Sequence, residues 1–256
     1  LGAVGNGSRS VVACRARKDQ KAQMLSLIRN CDNRSCCLAI GDGANDVAMI
    51  KAGQIGVGII GKEGMQAVNN SDFAIGQFRF LRSLLLVHGR LNYRRMSVFY
   101  YFCFFKNFVP ALTIYFFSMA SLASGGYFFI SVFYDWLWSI IFTCLPIICF
   151  GIFNTDTSKD ASAASPLLYS PGRRRIFFTM PGFLIWCAEA TFFAAAALCV
   201  PLYGLDGIQS HGYDEMSFSV MCTLVLGVNV RLFMEMDSWT NIEHVITWGT
   251  LLFFGF

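Results

Sequence analysis

The sequence predicts a polar α/β unit with an open parallel sheet, followed by a multi-pass α-helical membrane bundle. Three observations predict it. The 256 residues are 55% hydrophobic and 14% charged, against roughly 45–50% and about 25% in soluble domains, so more apolar surface is present than a soluble core can hide. The aromatic bias is uneven: of 26 Phe, only Phe73, Phe78 and Phe80 precede residue 98. The charge is uneven as well. Residues 1–97 hold 14 Lys+Arg and 6 Asp+Glu, whereas the remainder holds 6 and 10.

The first 77 residues alternate short apolar runs with helical periodicity, the pattern of a parallel α/β sheet. Val11-Val12-Ala13-Cys14 reads as a short buried strand. From Lys21 to Ile28, Met24, Leu25 and Ile28 recur on one helical face. Cys36 to Ile40 is a second strand, ended by Gly41-Asp42-Gly43. A helix over 45–52 follows, with Gly53 as its C-cap. Strands at 55–60 and 73–75 flank a short helix over 63–68.

Residues 78–97 are amphipathic and basic, with Arg79, Arg82, Arg90, Arg94 and Arg95, and read as a stalk helix that runs into the membrane. Five spans are expected at 98–119, 130–152, 180–202, 218–234 and 242–256, the last truncated. Each complete run is near the roughly 20 residues a bilayer requires. Gly125-Gly126 separates the first two. Loops 120–130 and 203–216 have no Lys or Arg, while the loop at 154–179 carries Arg173-Arg174-Arg175. The positive-inside rule then makes 1–97 and 154–179 cytosolic. Which membrane holds the chain, plasma membrane or endomembrane, is open.

Several classes are excluded. No Arg/Lys stripe alternates with stacking aromatics, so the basic head does not indicate nucleic acid. The 10 Cys include no CxxC pair, which argues against a zinc site or a disulfide framework. His88, His211 and His244 are scattered and receive no catalytic role. The start, Leu1-Gly2-Ala3-Val4, has neither an initiator Met nor a charged n-region, and the end stops within a hydrophobic run. Both ends read as cuts in a longer chain.

The string Gly41-Asp42-Gly43-Ala44-Asn45-Asp46 joins a strand to a helix. Its glycines permit a tight turn and close ligand approach. Two carboxylates four apart can converge on one hard cation, and Mg²⁺ takes one or two protein carboxylates with phosphate oxygens and waters. Asp42, at the strand tip where α/β sheets bind ligands, is the better direct ligand. Asp46 would orient a water or bond the loop, and Asn45 can donate to a phosphate oxygen. Alone, Gly-Asp-Gly is also an ordinary turn.

The run GDGANDVAMI resembles the hinge motif of P-type ATPases, GDGxNDxxM. The resemblance implies that residues 1–77 are the C-terminal half of a haloacid-dehalogenase-like phosphorylation domain that uses ATP and Mg²⁺. Cys14-Arg15 and Gln20-Lys21 are similar to the family's CR…QK segment. In that family the lysine sits beside the aspartyl phosphate, where an ammonium neutralises developing charge; on Lys21 alone, a surface helix lysine is the plainer reading. The resemblance thus implies catalytic roles for Asp42 and Lys21, with Arg15, Lys21, Asn45 and Asp46 toward the nucleotide or phosphate.

Gly56-Val57-Gly58-Ile59, Gly61 to Ala67 and Ser71-Asp72-Phe73-Ala74-Ile75 resemble the GVGIxGxEGxQAxxxSDyaIxqF signature of the type IV subfamily, the lipid flippases. As a bare pattern this is a Gly-bounded strand followed by a helix. Lys106 lies deep in the first span, where a cation costs about 2.5–3.5 kcal/mol on insertion scales, so it marks a functional site by default. Phe104-Phe105-Lys106-Asn107 resembles the F-[YF]-K-N motif of the flippase fifth membrane helix, which implies that Lys106 and Asn107 help the lipid headgroup past the membrane middle. The structural alternative pairs Lys106 with a carboxylate such as Glu189. Trp138 to Pro146 is similar to YNVFFTSLP. Ser139 replaces the family asparagine and Cys144 the serine, so headgroup selectivity stays open. Pro166-Leu167-Leu168-Tyr169 resembles a cytosolic P-x-L-Y loop.

The resemblance implies an ATP-driven phospholipid translocator of the aminophospholipid type, working in a lipid bilayer with an accessory β-subunit. The sequence contains no DKTG phosphorylation motif, and covalent transfer requires that nucleophile, so the chain by itself is expected to be inactive. Two alternatives stand beside this reading: a P-type ATPase moving polyamines or cations, and a catalytically dead membrane fragment.

Overall fold

The computed structural model describes residues 7–31, 36–61, 65–122, 137–204 and 213–254. It divides into two compact units, Leu1–Leu85 and Leu86–Phe256.

In the first unit, helix α1 (Lys18–Cys31) carries Asp19 in its first turn and Arg29 in its last, both favourable to the helix dipole. Its start is closed by the Arg17 amide, which donates to Gln20 Oε1 at 3.0 Å. Three strands, β1 (Leu38–Gly41), β2 (Ile55–Ile59) and β3 (Phe73–Ile75), form a parallel sheet in the order β1-β2-β3. Ile40 pairs with Val57 and Val57 with Phe73. Helix α2 (Val47–Ala52) links β1 to β2, and the four-residue α3 (Gln66–Asn69) links β2 to β3. Gly53 ends α2 as expected, its amide donating to the carbonyls of Met49 and Ile50. Ala39, Ile50, Val57, Ala67 and Ile75 form the buried core. α4 (Phe80–Ser83) closes the unit.

The expected strand at 11–14 is not formed. Val11 and Val12 are exposed, and the segment runs irregularly into α1. A four-residue apolar run carries too little periodicity to define an element, and a strand must pair to satisfy its backbone groups. The helix expected at 63–68 is α3; residues 62–64 lie outside the described residues.

The second unit is helical. A π-helical turn at Leu84–Gly89 precedes α5 (Arg90–Ala120). A second π turn, Trp138–Phe142, leads into α6 (Cys144–Phe153). Two short helices follow, α7 (Lys159–Ala164), capped by Ser158, and α8 (Ser170–Arg173). Then come α9 (Met180–Gly204), α10 (Tyr213–Phe233) and α11 (Asn241–Phe254).

Among the described residues three helices are long and apolar enough to cross a membrane: Phe80–Ala120, Met180–Tyr203 and Asp214–Phe233. Trp138–Phe153 is a shorter apolar helix. The second expected span begins at 130, and residues 123–136, with Gly125-Gly126, lie outside the described residues. The last expected span is the 14-residue α11. Five spans were expected and three reach the length, because one of the five starts in undescribed residues and another is short.

Each long helix buries one stripe. Phe102, Phe105 and Val109 of α5 face Trp186, Ala190 and Ala197 of α9 and Val220, Leu224, Val228 and Leu232 of α10, with Phe142 and Phe150 completing the core. In lipid the tails are as apolar as these side chains, so close packing rather than water exclusion holds the helices together. A Cβ on Gly227 would lie 2.0 Å from the Phe193 ring; glycine there lets that ring of α9 lie directly against the α10 backbone. Phe104, Phe108, Ile185, Phe192 and Val230 remain exposed, suited to acyl chains.

Candidate functional site

The first candidate site is the turn at 41–46. β1 ends at Gly41, and a 3₁₀ turn (Ala44–Asp46) leads directly into α2. A Cβ on Gly41 would fall 2.3 Å from the Asp46 Cβ, so only glycine lets the chain fold back and carry Asp46 under the strand end. Asp46 is buried, and its Oδ1 accepts a hydrogen bond from Lys21 Nζ at 2.7 Å. The lysine and the loop, 25 residues apart, are thus brought together. Asp42 and Asn45 are exposed on the turn. Asp42 makes no hydrogen bond among the described residues, so its carboxylate is free to take a ligand. Arg15 is exposed in a left-handed conformation, φ 55°, and among the described residues no hydrogen bond brings it to the loop.

No group of three His, Cys, Asp or Glu gathers around a common point among the described residues. That is consistent with Mg²⁺, which is content with one or two carboxylates and otherwise binds water and phosphate. The donor set fits: Asp42 is an unengaged hard oxygen ligand at a strand tip. A Cβ on Gly61 would lie 3.3 Å from its carbonyl oxygen, so the approach there is narrow.

The second candidate site lies where the Trp138–Phe142 turn meets α5. Lys106, 8% exposed, donates from Nζ to Thr143 Oγ1 at 3.1 Å. Thr143 donates in turn to the Trp138 carbonyl at 2.7 Å, and the Trp138 indole donates to the Lys106 carbonyl at 3.3 Å. The two segments are cross-bonded in both directions. The turn is irregular for a chemical reason: Pro146 has no N–H to give the carbonyl of Phe142, four residues earlier. Asn229 of α10 reaches across and donates Nδ2 to that carbonyl at 3.1 Å and to its own Val225 carbonyl at 2.8 Å.

Asn107 and Ser139 are exposed, on the outer sides of the segments that carry Lys106 and Thr143. Glu189 does not pair with Lys106; it accepts from Arg231 Nε at 3.0 Å, and Arg231 also stacks 3.9 Å over Trp186. The structural alternative of a Lys106–Glu189 pair is therefore overturned. Glu189 lies on the half-exposed side of α9, where a long arginine reaches it first.

Asn229 escaped the sequence reading, and Trp138 and Thr143 stood there only within the run similar to YNVFFTSLP, without a role of their own. A lone Asn in the apolar run around Val225–Val228 was the available signal, since polar residues inside a span call for a partner. A polar clasp was also missed. Arg90 Nη1 donates to Asp156 Oδ1 at 3.1 Å, and Arg94 bonds both Asp156, at 2.7 Å, and Asp237, at 3.0 Å. Asn154 Oδ1 accepts from the Asp237 amide at 2.9 Å, and Arg95 Nε donates to the Asn154 carbonyl at 2.6 Å. Burial alone would raise the Asp156 pKa; hydrogen bonds and charge from Arg90 and Arg94 overcome it and hold the carboxyl down to about 2. In the sequence these arginines mark an amphipathic, basic stalk helix, and their carboxylate partners lie 66 and 143 residues away.

Three helices long and apolar enough to cross a membrane, packed on one apolar core, define a multi-pass membrane protein. Comparison with known sequences gives the family: residues 68–256 match the profile described as phospholipid-translocating P-type ATPase C-terminal, and the chain belongs to that family. It is 37% identical over 250 residues to human "Phospholipid-transporting ATPase ID", covering 95% of this chain and 20% of that protein. It is 37% identical over 252 residues to human "Probable phospholipid-transporting ATPase IM", covering 95% and 21%. It is 36% identical over 251 residues to "Probable phospholipid-transporting ATPase 5" of Arabidopsis thaliana, covering 94% and 20%. The chain spans about one fifth of the length of these relatives.

Proposed function

We propose that this chain is the C-terminal portion of an ATP-driven phospholipid translocase of the aminophospholipid type, acting with an accessory β-subunit. The observation that carries the reading is the buried ammonium of Lys106. Lysine has three N–H donors, and among the described residues one of them is met, by Thr143. A desolvated cation with donors to spare suits the anionic phosphate that every phospholipid headgroup presents, and it opposes a cationic cargo. Asn107 and Ser139, on the neighbouring segments, would offer an amide and a hydroxyl to the rest of the headgroup. Membrane sidedness follows the arginines, with 1–97 and 154–179 in the cytosol.

The 41–46 turn would serve the phosphorylation chemistry of the complete protein. Asp42 would hold Mg²⁺, which when bound supplies positive charge against phosphate oxygens. Asp46 fixes the ammonium of Lys21 and so pre-positions a second positive charge without reorganisation during the reaction. Asn45, exposed at the tip of the turn, would donate to a phosphate oxygen, and Arg15 would approach from the preceding segment. The reading is tested by phosphoenzyme turnover of the full-length protein offered phospholipids, polyamines or metal cations in parallel. Acceleration by phospholipid supports it; acceleration by polyamine or cation alone replaces it.

A further inference from the structure

We infer that Asn229 is a positioning residue for lipid recognition: its side-chain amide props open the proline break before α6 and so sets Thr143 against Lys106. The inference rests on the phospholipid reading above. Asn229 is 1% exposed, in the C-terminal third of α10 between Val228 and Val230. Both contacts of its Nδ2 are carbonyl oxygens, of Phe142 and Val225. That pairing fixes which way the amide points, because a flipped side chain would set oxygen against oxygen. Its Oδ1 has no hydrogen-bond partner among the described residues. A buried amide that leaves its own oxygen unmet carries a cost, and what it delivers in exchange is the donor to Phe142.

The location explains the need. An unbroken helix would give the Phe142 carbonyl the N–H of residue 146, and Pro146 has none. The donor arrives from another helix, at a point one residue from Thr143. Thr143 has φ −126° and ψ −24°, away from regular helical values, and its hydroxyl bridges Lys106 to the Trp138 carbonyl. Asn229, Phe142, Thr143 and Lys106 thus form a chain of contacts across α10, the π turn and α5. Asn229 reaches the cation through the backbone, without touching it.

The test separates support of the fold from positioning. In the full-length protein with its accessory subunit, Asn229→Leu keeps the branched outline of the side chain and removes the donor. The double variant Pro146→Ala/Asn229→Leu returns an N–H to residue 146 and lets the helix close. Asn229→Leu is expected to raise the phospholipid concentration for half-maximal ATPase by roughly tenfold, the loss of about one hydrogen bond's worth of binding, with maximal turnover changed less. The double variant is expected to recover thermal stability while its lipid dependence stays weakened, because the break that places Thr143 is gone. Unchanged lipid dependence in Asn229→Leu overturns the inference, and so does recovery of both stability and lipid dependence in the double variant. Absence of any phospholipid stimulation in the unaltered protein would instead overturn the phospholipid reading itself.

Discussion

Lys106 Nζ donates to Thr143 Oγ1 at 3.1 Å, and Trp138 of the same turn returns a hydrogen bond to the Lys106 carbonyl at 3.3 Å. The charge is therefore held on a segment whose own backbone is irregular. Replacing Thr143 by Val keeps the shape and removes the acceptor. In the complete protein this is expected to shift the half-maximal phospholipid concentration by roughly tenfold, measured as lipid-stimulated ATPase. An unchanged value would mean that the bond to Thr143 is structural only.

The loop at 41–46 divides its carboxylates: Asp46 is bonded to Lys21, and Asp42 is exposed. In the full-length protein, Asp42→Asn is expected to abolish Mg²⁺-dependent phosphoenzyme turnover and leave membrane insertion intact. Lys21→Ala and Asp46→Ala should each slow turnover, and the double variant should be little worse than either, since both remove one coupled unit. Additive losses would separate the pair.

Asp156 sets an acid limit on the helical unit. Its carboxyl is held at about 2 instead of 3.8. A depressed carboxylate stabilises the fold fully above its unfolded pKa and loses that contribution as pH falls through the folded one. On the order of 2 kcal/mol should therefore disappear between about pH 4 and pH 2. Thermal unfolding in detergent should show this step in the unaltered protein and not in Asp156→Asn. Arg90→Ala, which leaves a buried carboxylate short of a partner, is expected to cost about 3–5 kcal/mol at neutral pH.

Helix α11 begins with a reciprocal cap. Glu243 Oε2 accepts from the Thr240 amide at 2.7 Å and hydroxyl at 2.9 Å, and the Glu243 amide donates to Thr240 Oγ1 at 3.3 Å. Glu243 is fully buried, and its Oε1 is unpartnered among the described residues. Thr240→Ala should cost about 1–2 kcal/mol. Adding Glu243→Ala should recover part of that loss in thermal unfolding, because it removes the stranded carboxylate.

Elements with strong periodicity or punctuation were legible in the sequence. β3 at Phe73–Ile75 and the starts of α9 and α11 fall at or within one residue of expectation, because glycine, proline and apolar runs mark them locally. Val11-Val12 misled, since a short apolar run has no period to read. At the sites, Lys21 and Asp46 were both named, but their direct pairing was not foreseen, nor was the buried contact of Lys106 with Thr143. Such pairings depend on how helices register against each other in space. Asn229 and Phe142 are 87 residues apart, and the polar clasp around Asp156 joins segments that periodicity treats one at a time.

The central claim concerns Lys106, and transport itself tests it most directly. The full-length protein with its accessory subunit would be reconstituted into vesicles carrying a fluorescent phospholipid, and ATP-dependent movement of the probe between leaflets followed. The account predicts movement by the unaltered protein and at least a roughly tenfold slower rate in Lys106→Ala, with phosphorylation by ATP preserved. Equal rates in the two proteins, or ATP-dependent movement of a polyamine in place of the lipid, would contradict it.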